Sequence, residues 1–207
     1  MEIEEIVEAI RAELDEKDSL REEALKLTRE IIRLSGDTIK ALHRGEVEKA
    51  EERFRNAGER VKELREKLKE HPDLYYTGYV QSAHQEYVES ALFLSYVTGR
   101  PYPTPDELGV PKADYALGIG DFIGELRRHF LLRLLESDLD GAERAYREME
   151  RTYNALMTLE YPKGLVNIRQ KQDQARYVLE RTLEDLTRAK LGNELEEMLE
   201  GLMERLS

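Results

Sequence analysis

REEALKLTREIIRLSGDTIKALHRGEVEKAEERFRNAGERVKELREKL, residues 21–68, decides the fold. Leu20, Ala24, Leu27, Ile31, Leu34, Thr38 and Ala41 alternate spacings of four and three. Val47, Ala50, Phe54, Ala57, Val61, Leu64 and Leu68 do the same. A period of about 3.5 residues marks long helices packed side by side at shallow angles. Gly45 stops the first helix and Glu46 opens the second, so the two are expected to form an antiparallel hairpin.

Outward from the hairpin, helix signals continue almost to the ends. His71-Pro72 closes the second helix, and a third is expected to carry Tyr75 to Val97. GRPYPTPDELGVP, residues 99–111, holds four of the six prolines and is the clear non-helical connection. Within it Thr104-Pro105-Asp106-Glu107 has the form of a capping box with Pro at the first helical position, which predicts a short turn of helix. A fourth long helix is expected from Lys112 to about Ser137. Asp138 and Asp140 restart a fifth, Tyr161-Pro162 ends it, and Leu165 to Lys190 form a sixth. Gly192-Asn193 precede a short terminal helix. No segment alternates as a strand does. The expectation is all-α: one domain over residues 1–207, a bundle of six to seven mostly long antiparallel helices.

Composition narrows the function. The absence of Cys among 207 residues excludes disulfides, thiolate metal sites and Cys nucleophiles. No apolar run approaches the roughly 20 residues of a membrane span, and the amino terminus lacks a signal-peptide pattern, so a soluble, cytoplasmic protein is expected. The 37% charged content, with no Cys or Trp, suits a thermophile. A net charge of −12 excludes a surface basic all over, yet permits a local basic channel.

Against this background four acids are out of place. In QEYVESALF, residues 85–93, Glu86 and Glu89 stand three apart among Val88, Ala91, Leu92 and Leu94. In YALGIGDFIGELRRHF, residues 115–130, Asp121 and Glu125 stand four apart among Leu117, Ile119, Phe122, Ile123 and Leu126. Both spacings put each pair on one helix face. Gly118, Gly120 and Gly124 each cost the helix about 1 kcal/mol relative to Ala, which close approach of another helix would offset. Four unpaired carboxylates would be costly to bury. A hard divalent cation, Mg²⁺ or Mn²⁺, relieves that cost through oxygen ligands. The ferritin-like alternative requires Glu-x-x-His, which none of the four histidines supplies. His129, one turn beyond Glu125, is a candidate outer-shell group. GIG and FIG lie inside a helix without the Lys-Ser/Thr of a phosphate loop.

Basic residues add a stripe. Lys26, Arg29, Arg33, Lys40 and Arg44 fall on one face at about 100° per residue, interrupted by Glu30 and Asp37. It reads either as a solvated face with intrahelical pairs or as a track for a phosphate backbone. Tyr75, Tyr76, Tyr79 and Tyr87 either pack between helices or stack on unpaired bases.

GIGDFIGELRR, QEYVE, REEALKLTREIIRLSGDTIKALHRG and IRQKQDQARYVLERTLEDL together resemble the translin superfamily. Acids matching Glu86, Glu89 and Asp121, with Glu125 beside them, are similar to those of its nuclease branch, that of translin-associated factor X. The resemblance implies a divalent-metal-dependent endoribonuclease using Mg²⁺ or Mn²⁺, with these four acids as ligands and base. It implies single-stranded RNA as substrate, with single-stranded DNA as a further candidate, enclosed in a homo-oligomeric barrel of eight chains. Arg21 and Arg176 match basic positions that the binding branch uses for RNA, and Arg29, Arg33 and Lys40 extend that set. Ala83 and Gln85 depart from translin, which has basic or imidazole groups there. Two further readings stay open: a non-catalytic single-strand-binding protein, and an all-α nucleoside-triphosphate pyrophosphatase that also holds Mg²⁺ through Glu-x-x-Glu.

Overall fold

A computed structural model describes residues 2–206. Among them there are eight helices and no strand: α1 (Ile3–His43), α2 (Val47–Lys67), α3 (Pro72–Tyr75), α4 (Gly78–Thr98), α5 (Pro105–Leu108), α6 (Lys112–Leu135), α7 (Leu139–Met157) and α8 (Ile168–Leu206). The all-α expectation holds. The chain divides into two compact units, Met1–Tyr115 and Ala116–Ser207.

In the first unit α1 packs on α2 and α4, and α2 on α4. The seam read from the sequence is the buried one: Ala24, Leu27, Ile31, Leu34, Thr38 and Ala41 on α1 face inward, as do Ala50, Ala57, Val61, Leu64 and Leu68 from α2 and its cap. Each fully buried Leu or Ile contributes about 1.5–3 kcal/mol, so burial of this seam is what holds the hairpin closed. Gly45 makes the turn at φ +74°, a conformation a side chain would strain. α4 is buried on most sides, through Val80, Ala83, His84, Tyr87, Val88, Ala91, Leu92 and Phe93. Its His84 is fully buried, and Nδ1 donates to Asp114 Oδ2 at 2.7 Å, while Gln81 Nε2 donates to Asp114 Oδ1 at 2.9 Å. That carboxylate ties α4 to the first turn of α6. The expected capping box is present: Glu107 N donates to Thr104 Oγ1 at 3.2 Å and Thr104 N to Glu107 Oε2 at 2.7 Å.

In the second unit α7 packs on α8. Ala142, Ala145, Met149 and Leu156 are buried on α7, and Ile168, Ala175, Thr182 and Leu186 on α8. Asp138 caps α7 by accepting from Gly141 N at 2.7 Å, which is why the helix restarts there. Gln172 Nε2 donates to the carbonyls of Leu156 and Leu159, both at 2.9 Å, which ties the end of α7 to the start of α8.

The helix before Tyr161-Pro162 ends at Met157 and the next starts at Ile168, a few residues inside the expected bounds, and two further boundaries differ more. The third helix does not run unbroken from Tyr75: Thr77 takes extended backbone, its hydroxyl donates to Leu74 O at 2.7 Å, and α4 begins at Gly78. The expected break at Gly192-Asn193 is absent, and α8 continues through it to Leu206. A glycine inside a helix costs about 1 kcal/mol, which lowers stability without ending the helix. Here Asn193 Nδ2 donates forward to Glu197 Oε1 at 2.7 Å.

Candidate functional site

In the first unit, Glu86 and Glu89 lie on the narrow part of α4 that packing leaves uncovered. Ser82 is exposed, Gln85, Glu86 and Glu89 are half-buried, and the positions between them are buried. The apolar residues around the two acids are therefore the core-facing sides of the same helix. Helical phase, and no irregularity of the backbone, brings both carboxylates to one line. Tyr87, between them in sequence, points the other way. It stacks on Phe54 at 5.0 Å and 11°, and burial pushes its phenol up to about 12, so it stays protonated. Tyr87 is thus a packing residue, whereas Tyr76 is 73% exposed.

In the second unit, Asp121 and Glu125 share a half-buried face of α6. Asp121 is ion-paired to Lys171 of α8, both side chains at least two-thirds covered. Sequence reasoning missed Lys171, since it sits in the run IRQKQDQ with no spacing that marks it. The glycine beside Asp121 explains how it gets there. A Cβ at Gly120 would come within 2.7 Å of Lys171 Cβ and 3.1 Å of Cγ, so the bare backbone lets the lysine stem cross α6. Gly120 does provide the expected close approach; Gly124 does not, because a Cβ there would meet nothing within 4 Å. Glu125 has Arg128 at 4.0 Å on its own helix, and His129 is half-buried one turn on.

The four acids offer only carboxylate oxygen, the donor chemistry of Mg²⁺ and Mn²⁺. In donor type they fit such an ion, with Lys171 already engaged on Asp121. Among the described residues no three His, Asp or Glu side chains converge as a metal-binding group.

The basic candidates are all exposed. On α1, Arg21 is shared between Asp18 and Glu22 at 3.5 and 3.0 Å, and Asp37 lies between Arg33 at 3.7 Å and Lys40 at 3.4 Å. Arg29 projects from the same helix into solvent. Arg176, on α8, donates through Nε to the Tyr153 hydroxyl at 3.1 Å. Exposed intrahelical pairs are worth about 0.3–0.5 kcal/mol, so a phosphate can replace these partners at little cost. Among the described residues no helix is long and apolar enough to cross a membrane.

Comparison with known proteins places these features. The Translin family matches residues 19–186, a span that includes every site candidate. An uncharacterized protein of Methanocaldococcus jannaschii is 34% identical over 175 residues, 84% of this chain and 78% of that protein. Among solved structures, AfC3PO is similar at a TM-score of 0.82 and 35% identity, over 90% of this chain and 97% of that one. AfC3PO in complex with duplex RNA is similar at 0.77 and 36%, over the same shares. Apo-NeC3PO, at 23% identity, shares the fold at a TM-score of 0.80, over 88% of this chain and 96% of that one.

Proposed function

Because this chain belongs to the Translin family, we propose that it binds RNA and cleaves it as a divalent-metal-dependent endoribonuclease. RNA binding is supported by the similar AfC3PO, which holds duplex RNA. Cleavage rests on one observation: two helices each keep a pair of half-buried carboxylates on one face, where core packing would favour apolar side chains.

In this reading Glu86, Glu89, Asp121 and Glu125 hold Mg²⁺ or Mn²⁺. When bound, such an ion lowers the pKa of a coordinated water and neutralises charge on the phosphate. The protein contributes position and proton transfer. Glu89 or Glu125, whichever is not a direct ligand, accepts the proton of the attacking water. Lys171 fixes the carboxyl of Asp121 in one rotamer. Arg21, Arg29, Arg33, Lys40 and Arg176 contact phosphates, which replace the weak exposed partners of the paired ones. The substrate is single-stranded RNA, enclosed by a homo-oligomer of eight copies.

A second reading, a binding protein without catalysis, is favoured by the absence of a convergent metal group among the described residues. One assay separates the two, and the nucleotide pyrophosphatase as well. Labelled single-stranded and duplex RNA are incubated with Mg²⁺ or EDTA and run on a gel beside a nucleoside triphosphate control. Shortened single-stranded RNA with Mg²⁺ alone, and an intact triphosphate, is the expected result. Binding without shortening would leave the non-catalytic reading.

A further inference from the structure

The first four turns of α1 lie outside the family match, which begins at residue 19. Residues 2–16 are exposed on every side, although their pattern is that of a packed helix. Ile3, Val7, Ile10 and Leu14 repeat the four-three spacing of the buried seam, with Ile6 beside them, and all five are between 38% and 64% exposed. An isolated helix of this length is marginal in water, and its stability ordinarily comes from packing an apolar face. A contiguous apolar stripe rimmed by charge marks an interaction surface. The rim is acidic. Residues 2–18 carry eight acidic side chains against Arg11 and Lys17, and Glu4, Glu8 and Asp15 line one flank of the stripe.

The same unit carries a surface of opposite kind. A cleft of about 780 Å³ runs along the outer face of α2, bounded by α4 and the proline-rich connection. Its floor is apolar, with Val61, Ala91, Leu94, Pro101, Pro103 and Leu108. Arg55, Lys62 and Arg65 stand along its α2 edge. Among the described residues neither Arg55 nor Lys62 has a carboxylate within 4 Å, and Arg65 has only Glu66, at 3.8 Å on its own helix. The cleft also has four acids: Glu51 holds Arg100 at 2.6 Å, Glu107 closes the capping box of α5, Asp106 stands beside it, and Glu59 lies on α2 between Arg55 and Lys62. With Glu51 engaged by Arg100, the α2 edge sets three cations against one acid, Glu59, and that positive balance is what an acidic helix needs.

We propose that the amino-terminal arm of one copy, residues 2–18, docks in this cleft on a second copy. Ile3, Val7, Ile10 and Leu14 lie on the apolar floor, and the acidic flank lies along Arg55, Lys62 and Arg65. The spacings agree: Glu8 and Asp15 are seven residues apart, as are Arg55 and Lys62, and two helices laid side by side bring both pairs into register over about 10 Å. The arm cannot serve its own chain. It continues the α1 axis past the carboxyl end of α2, where Lys67 pairs with Glu23 and Lys17 meets Asp73 at 2.8 Å. Reaching back to residues 51–65 would require breaking α1. Two acidic arms would repel one another, which disfavours arm-to-arm pairing. This contact stands apart from any RNA chemistry and from the count of subunits.

The absence of cysteine makes the test clean. Two full-length variants, Asp15→Cys and Lys62→Cys, one bearing a tag that changes its mobility, are co-expressed and treated with a short bis-maleimide linker. Both positions are exposed, and circular dichroism confirms folding. The expected product is a mixed dimer linking the two variants, in excess over either self-linked species. It falls several-fold when Leu14→Asp is added to the arm or Arg55→Glu to the cleft. The proposal is overturned if Asp15→Cys links mainly to itself. It is equally overturned if the mixed product does not exceed that of Asp15→Cys paired with Glu136→Cys, an exposed position that does not line the cleft.

Discussion

The two acidic pairs reach half-burial by different routes. α4 contains no glycine after its first residue, and Glu86 and Glu89 occupy the strip its neighbours leave open. α6 is interrupted by glycines, and one of them admits Lys171, which neutralises Asp121. The lesson is that an acid in an apolar helix has two physical explanations. It can stand at the margin of the core, or it can have a cation brought to it. A metal reading has to contend with the second, because any ion at Asp121 competes with an ammonium already there.

Breaking the α6 pair has the largest expected effect. Asp121→Asn should lower Mg²⁺-dependent RNA cleavage by more than the roughly 10–100-fold that outer-shell partners cost. It should also lower stability by about 1 kcal/mol in EDTA, since Lys171 loses its partner in a mostly covered site. Denaturant melts beside a gel assay measure both. A variant that loses stability but cleaves normally would make Asp121 a structural acid.

Gly120→Ala comes next. Its Cβ would press on the Lys171 stem at 2.7 Å, and overpacking of this kind costs about 1–3 kcal/mol. Gly124→Ala, in open space on the same helix, should instead stabilise by up to about 1 kcal/mol. Thermal melts of the two variants should move in opposite directions. Equal shifts would mean that Lys171 does not lie across α6 at Gly120.

Lys171→Met sharpens the comparison further. It keeps the apolar stem over Gly120 and removes only the charge. If Asp121 is a ligand, Mn²⁺ measured by calorimetry should bind about tenfold tighter, because a competing cation is gone. Unchanged affinity would remove Asp121 from the ligand set. The smallest effect is expected for Arg21→Ala and Arg176→Ala. Each should weaken RNA binding across sequences and reduce the salt slope by about one.

Much of the first unit was legible because its helices pack on near neighbours. The four-three seam of residues 20–68 gave the hairpin, and Thr104, like Asp138 in the second unit, marked a helix start through local hydrogen bonds. Where an outcome depends on distant residues, sequence was a poor guide. Lys171 is 50 residues from Asp121, and His84 is 30 residues from the carboxylate that holds it. The break expected at Gly192 failed because local propensity sets a cost without deciding the outcome. The same seam spacing that buries residues 24–41 leaves residues 3–14 exposed, since periodicity specifies a face without specifying what covers it.

The central claim is that the α4 acids hold a catalytic cation, and Glu89→Gln tests it most directly. RNA affinity in EDTA and Mg²⁺-dependent cleavage are measured on the same preparation. The amide is a neutral and poorer ligand of nearly the same shape, so affinity should stay within about twofold of wild type while cleavage falls by more than about 100-fold. Cleavage at the wild-type rate by Glu89→Gln would contradict the account.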